Sequence, residues 1–109
     1  MIETLLGSKN AERVLMYIFA REDGYAREIA GFHGTDLKSI QLQLDKFEKS
    51  GVLASRFVGR TRPYVFNLHY PFLNELKSLL KKALSFYPQE KRDEFLMNRR
   101  RPRARGKNI

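Results

Sequence analysis

An apolar stripe with a stop signal at each end constrains this chain most. Leu37, Ile40, Leu44 and Phe47 recur at intervals of three and four residues, which puts them on one face of a helix. Asp36, with Thr35 before it, is a residue type whose side-chain oxygen accepts from a first-turn N–H. Gly51 stands where a helix commonly ends in the left-handed conformation. The spacing therefore predicts a helix from Leu37 to about Ser50. Its opposite face carries Lys38, Ser39, Gln41, Leu42, Gln43, Asp45 and Lys46. A stripe of this kind must be buried, so the remaining segments have to supply its partners.

Upstream, Ser8 can cap a helix from about Lys9 to Arg21, with Val14, Leu15, Ile18 and Phe19 at helical spacing and Asp23-Gly24 as its stop. Ala11 and Tyr17 extend that face. Ala26 to Phe32 is too short to hold as an isolated helix, so Ile29 and Ala30 must pack on neighbours, and His33-Gly34-Thr35 breaks it. Downstream, Val52 to Val58 reads as a strand with Leu53 and Phe57 on one face. Tyr64 to Leu68 reads as its partner, with Tyr64, Phe66 and Leu68 on one face. The five residues Gly59 to Pro63 suit a hairpin loop. Pro71 fits the first turn of a further helix, about Pro71 to Phe86. Of its apolar residues, Leu73, Leu76, Leu80 and Leu84 can pack on the core or on a second copy of the chain. The expected architecture is mainly α with a small β-hairpin: one domain over residues 1–87, then a basic extension, 88–109. That extension reads as a short helix with Phe95, Leu96 and Met97 as its apolar contacts, followed by a flexible arginine-rich tail.

Composition narrows the function. At 109 residues, 42% apolar and 30% charged, most of the chain is expected to be globular. It has no cysteine, which excludes disulfides, thiolate metal sites and a cysteine nucleophile. His33 and His69 are far apart, and neither a glycine-rich phosphate loop nor a nucleophile elbow occurs. No enzyme, metal site or cofactor is therefore expected. No apolar run approaches the ~20 residues of a transmembrane helix, and the first residues lack the pattern of a signal peptide, so the expected location is the cytoplasm. The net charge is +9. Residues 1–87 hold 13 basic and 9 acidic side chains, and residues 88–109 hold 8 and 3. An excess of this size favours polyanions. An anionic membrane is disfavoured, because no amphipathic helix with a strong apolar face adjoins the basic tail.

Three motifs together resemble ArsR/MarR-type winged-helix transcriptional regulators. Arg27-Glu28-Ile29-Ala30 is similar to the start of their support helix. Ile40, Leu44, Phe47 and Gly51-Val52-Leu53 resemble the frame of the recognition helix and its exit. Gly59-Arg60 followed by Phe66-Asn67-Leu68 resembles the wing tip and its return strand. The resemblance covers roughly residues 9 to 87 without insertions. His33, Thr35 and Gln43 depart from the pattern, and the basic tail is not part of it.

The resemblance implies a winged helix-turn-helix: a three-helix core, a two-stranded wing and an additional C-terminal helix. It implies double-stranded DNA as partner and a homodimer built on terminal helices, and it places Lys38, Ser39, Gln41, Leu42 and Gln43 in the major groove. Gln can pair with adenine, Lys can reach guanine and Leu can touch a thymine methyl. Arg27, Lys46, Arg56, Arg60, Thr61, Arg62 and Tyr64 are then candidates for the DNA backbone or minor groove. Arg99, Arg100, Arg101, Arg103, Arg105 and Lys107 can add phosphate contacts. Two other functions stay open: a protein-interaction or antitoxin-like module, and an RNA-binding or architectural protein that uses the tail.

Overall fold

The computed structural model describes residues 1–97, so the tail candidates Arg99, Arg100, Arg101, Arg103, Arg105 and Lys107 lie outside the described residues. The chain runs α1 (Glu3–Leu6), α2 (Lys9–Arg21), α3 (Ala26–His33), α4 (Leu37–Lys49), β1 (Leu53–Ser55), β2 (Tyr64–Phe66), α5 (Leu73–Ser85) and α6 (Gln89–Met97). It is mainly helical, with one two-stranded antiparallel hairpin. No helix among the described residues is long and apolar enough to cross a membrane.

Helix α2 is the hub. Ser8 caps it by accepting from the Ala11 N–H at 3.0 Å. It packs on α1, α3, α4, α5, α6 and β2. Val14, Leu15, Met16, Tyr17 and Ile18 are all buried, so the helix is covered on more than one face, as a central helix must be. The stop expected at Asp23-Gly24 comes earlier. Glu22 takes the left-handed conformation (φ 76°), and its N–H reaches the Ile18 carbonyl at 2.7 Å. Gly24 serves a different purpose. It donates to the Tyr64 carbonyl (3.1 Å) and accepts from the Tyr64 N–H (2.7 Å), adding a short bridge to the hairpin. A Cβ at Gly24 would lie 2.9 Å from ring carbons of Tyr17, so only glycine lets the chain pass there.

The hairpin pairs Leu53 with Phe66, Ala54 with Val65 and Ser55 with Tyr64. Both strands are shorter than expected. Pro63 lacks the N–H that would extend the ladder, and the pairing stops at Ser55–Tyr64. Leu53, Tyr64 and Phe66 face the core, but Phe57 is 69% exposed and Leu68 is 80% exposed, which corrects the grouping of Phe57 with Leu53 and of Leu68 with Tyr64 and Phe66. The expected five-residue loop becomes an eight-residue excursion from Arg56 to Pro63. Its tip is a tight turn of its own: Val58 and Thr61 exchange two backbone hydrogen bonds (2.8 and 3.1 Å) around Gly59-Arg60. Gly59 supplies the positive φ (62°) that such a turn wants at its first central position.

Helix α5 turns Leu73, Leu80 and Leu84 into the core, with Leu76 half-buried against it. These four were candidates for a contact between two copies. Burial withdraws Leu73, Leu80 and Leu84 from that role, because the hub helix already covers them. Helix α6 docks on the same core through Phe95, which is 1% exposed. The Phe95 ring lies 4.9 Å from Phe32, 5.8 Å from His33 and 6.0 Å from Tyr87.

Candidate functional site

Helix α4 starts at a firm cap. Asp36 accepts from the Ser39 N–H (2.9 Å) and from the Ser39 hydroxyl (2.8 Å). The Ser39 N–H and hydroxyl beside it hold the Asp36 carboxyl below the usual carboxylate range. Ile40, Leu44 and Phe47 are buried as the stripe predicts, but Leu37 is 42% exposed. Leu37 lies at the rim, in the first turn, where the hairpin leaves a gap.

That gap is a cleft of ≈ 470 Å³ between the start of α3, the start of α4 and the hairpin. Arg27, Arg60 and Arg62 line it together with Tyr25, Leu37, Gln41, Thr61 and Tyr64, and no carboxylate among the described residues does. Arg27 arrives from the first turn of α3, Arg60 from the hairpin tip and Arg62 from the hairpin's second arm. Two of these guanidinium groups, Arg27 and Arg60, have no salt bridge among the described residues, and groups gathered in this way suit a phosphate, whose oxygens accept from their fork of N–H donors.

The other candidates divide. Lys38, Leu42 and Lys46 point outward from α4 and are exposed. Arg27, Arg56 and Arg60 are exposed, and with Lys38 and Lys46 they form no salt bridge among the described residues. Thr61 is exposed at the tip, its hydroxyl turned back to the Val58 carbonyl at 2.9 Å. Ser39 is engaged with Asp36, as above. Gln43 does not face outward. It sits one turn from Ile40 and Phe47, and its carbonyl oxygen is buried without a partner among the described residues, which corrects its assignment to the open face. Tyr64 is 1% exposed. Its ring belongs to the core and its hydroxyl is held by Gln41 at 3.1 Å, which corrects its reading as a backbone contact.

Arg62 is tied down. Its Nε donates to the Ser55 hydroxyl (2.9 Å) and its terminal N–H to Glu48 (3.0 Å). The Ser55 hydroxyl donates to the same carboxylate at 2.6 Å. The guanidinium also lies over the Phe57 and Tyr64 rings at 5.4 and 5.6 Å. Glu48, Ser55 and Arg62 thus lock the hairpin to α4. Sequence reasoning missed Glu48 and Ser55, since an acidic residue late in a helix and a serine in a strand carry no signal of being paired.

A second cluster lies between α1, α2 and α6, around a cleft of ≈ 580 Å³. The buried Glu12 carboxylate accepts from the Met1 nitrogen (3.0 Å), from the Ile2 N–H (2.9 Å) and from the Tyr87 hydroxyl. At the wall of the cleft, burial first, and the Arg13, Lys91 and Arg21 cations next, push the His33 pKa down to about 4. Four carboxylates line this cleft beside its cations, so it does not share the uniform charge of the first. No protein-family model matches the chain, and neither a curated protein nor a solved structure matches it significantly.

Proposed function

We propose that this protein binds double-stranded DNA as a sequence-reading transcriptional regulator of winged helix-turn-helix type, similar to ArsR/MarR regulators and working in the cytoplasm. In this reading α3 and α4 form the helix-turn-helix, α4 enters the major groove, and the β1–β2 hairpin is the wing. The carboxylate-free cleft at the junction of these three elements supports it most: Arg27, Arg60 and Arg62 surround it, beside the outward Lys38 and Lys46 of α4. The cleft takes a backbone phosphate, which fixes the register of α4, and the outward side chains of α4 then meet base edges. The reading includes a homodimer. Its contact falls on what the core leaves open around α5, namely Phe72 and Phe86, which are exposed.

Selection of duplexes from a randomised library tests the reading. Enrichment of one sequence, with binding that weakens steeply as salt rises, is the expected result. Salt-insensitive binding, or no enriched sequence, sinks it. A second reading, as a protein-docking module, draws on the exposure of Leu42, Phe57 and Val58 on the same surface. It predicts a stable complex with another protein and indifference to DNA sequence.

A further inference from the structure

We infer that the edge of α4 formed by Gln41 and Asp45 offers only hydrogen-bond acceptors, and so selects a base with an exocyclic amino group, adenine or cytosine, over guanine or thymine. The inference rests on the proposed DNA-binding reading and sharpens it.

The geometry of Gln41 carries the argument. Its amide nitrogen Nε2 donates to Asp45 Oδ1 at 3.0 Å and to the Tyr64 hydroxyl at 3.1 Å. A primary amide has two N–H donors, so both are occupied. Asp45 also fixes which way the amide faces. A carboxylate only accepts, so the nitrogen, and not the oxygen, must lie against it. The carbonyl oxygen Oε1 is left without a partner among the described residues and is not buried. One helical turn on, the exposed Asp45 adds a second acceptor.

Free glutamine on a reading helix can make the two-point pair with adenine, donating to N7 and accepting from N6. Locked Gln41 has no donor to offer and cannot make it. In the major groove the donors are adenine N6 and cytosine N4, whereas guanine and thymine present acceptors at the corresponding place. An oxygen-only edge meets the first pair favourably and the second with lone pair against lone pair. Asp45 makes sense on the same terms. A carboxylate on a face turned to DNA is repelled by phosphates unless it lies against an amino group.

The test begins with the sequence enriched by the wild-type protein. At each adenine the base is replaced by purine, and at each cytosine by pyrimidin-2-one, so that only the amino group is lost. One position is expected to lose about tenfold in affinity, within the range for a good base contact, and which analogue does so tells adenine from cytosine. The same titration is run on Asp45→Ala, an exposed helix position, and on Asp45→Asn, with circular dichroism to confirm that both are folded. In Asp45→Ala, Gln41 Nε2 regains a donor; in Asp45→Asn, the amide oxygen can still accept from Nε2, but the amide nitrogen adds a donor to the edge. In both, the analogue penalty falls below twofold and guanine or thymine becomes acceptable at that position. If no amino deletion costs wild-type protein more than twofold, or if the Asp45 variants keep the wild-type preference, the acceptor edge is wrong while DNA reading survives. If wild-type protein enriches no sequence, both fall together.

Discussion

Arg21 and Phe95 stand 74 positions apart, yet the Arg21 Nε donates to the Phe95 carbonyl at 3.1 Å. The same guanidinium donates to the Glu94 carbonyl (2.9 Å) and to the Tyr17 hydroxyl (2.8 Å), and lies 4.6 Å above the Tyr17 ring and 4.6 Å above the Phe32 ring. It therefore ties the hub helix to two backbone carbonyls in the last described turns of α6. One side chain of the hub helix holds the last described helix in place.

Arg21→Ala is expected to destabilise the protein by about 2–4 kcal/mol, since it strips charged hydrogen bonds and stacked area from a buried site. Arg21→Lys should recover little, because an ammonium cannot span two carbonyls with a planar fork. Denaturant unfolding measures both. Near-wild-type stability in Arg21→Ala would show that α6 is held by Phe95 alone.

Gly24→Ala tests the close passage beside Tyr17. The added methyl would sit 2.9 Å from the ring and 3.2 Å from Ile29 Cδ1, and neither packed neighbour can retreat freely. A loss of about 1–3 kcal/mol is expected, as for other overpacked cores. Measured in a Tyr17→Leu background, where the ring is gone, Gly24→Ala should cost less than it does in the wild type. An equal cost in the two backgrounds would count against the steric cause.

His33 makes stability depend on pH in a defined window. Its folded pKa, about 4, lies below the unfolded value of 6.5, because burial and nearby cations disfavour the charged ring. Between these values the unfolded chain binds more protons than the folded one, so stability falls as pH drops from 6.5 toward 4 and is regained as pH rises. Allowing for the partial exposure of the ring, the loss by pH 4 is about 1–2 kcal/mol. Glu3, held at about 2, and Asp36, also lowered, act in more acid solution. His33→Phe should flatten the slope above pH 4, and a slope unchanged in that variant would assign the effect to other groups.

Under the DNA-binding function proposed above, the arginines of the cleft should separate by role. Arg27→Ala and Arg60→Ala remove cations with no internal salt bridge, so each should weaken binding to all sequences alike and lower the salt slope by about 1. Arg62→Ala also breaks the links to Glu48 and Ser55. It should reduce stability as well as affinity, and Glu48→Ala should reproduce the stability loss without the loss of positive charge. Equal effects of all three arginine substitutions on salt slope and stability would erase the distinction.

The elements were legible because each is written locally. Ser8 and Asp36 announce helix starts, the Ile40–Leu44–Phe47 spacing announces a buried face, and the glycine at the hairpin tip announces a turn. What misled was the edge of each pattern. Leu37 continues the stripe in sequence but overhangs the cleft, Phe57 continues the strand alternation beyond the last paired residue, and Gln43 is polar yet lies between two core residues. Polarity and period assign a face to an ideal helix or strand. They do not say how far the neighbouring element extends.

The same division holds for the candidate site. The sequence by itself determined which segments from Lys9 onward are helical, though not the short α1 (Glu3–Leu6), where the hairpin falls and that the chain carries excess positive charge, since these follow from propensity, period and composition. Only the tertiary structure decided that Arg27, Arg60 and Arg62 share one cleft, that Leu73, Leu80 and Leu84 are buried within this chain, and that Gln41 has lost its donors to Asp45 and Tyr64. Apart from the single helical turn between Gln41 and Asp45, those relations join residues far apart in the chain. Hydrogen-bond geometry and burial depend on distances that packing sets and local sequence does not encode.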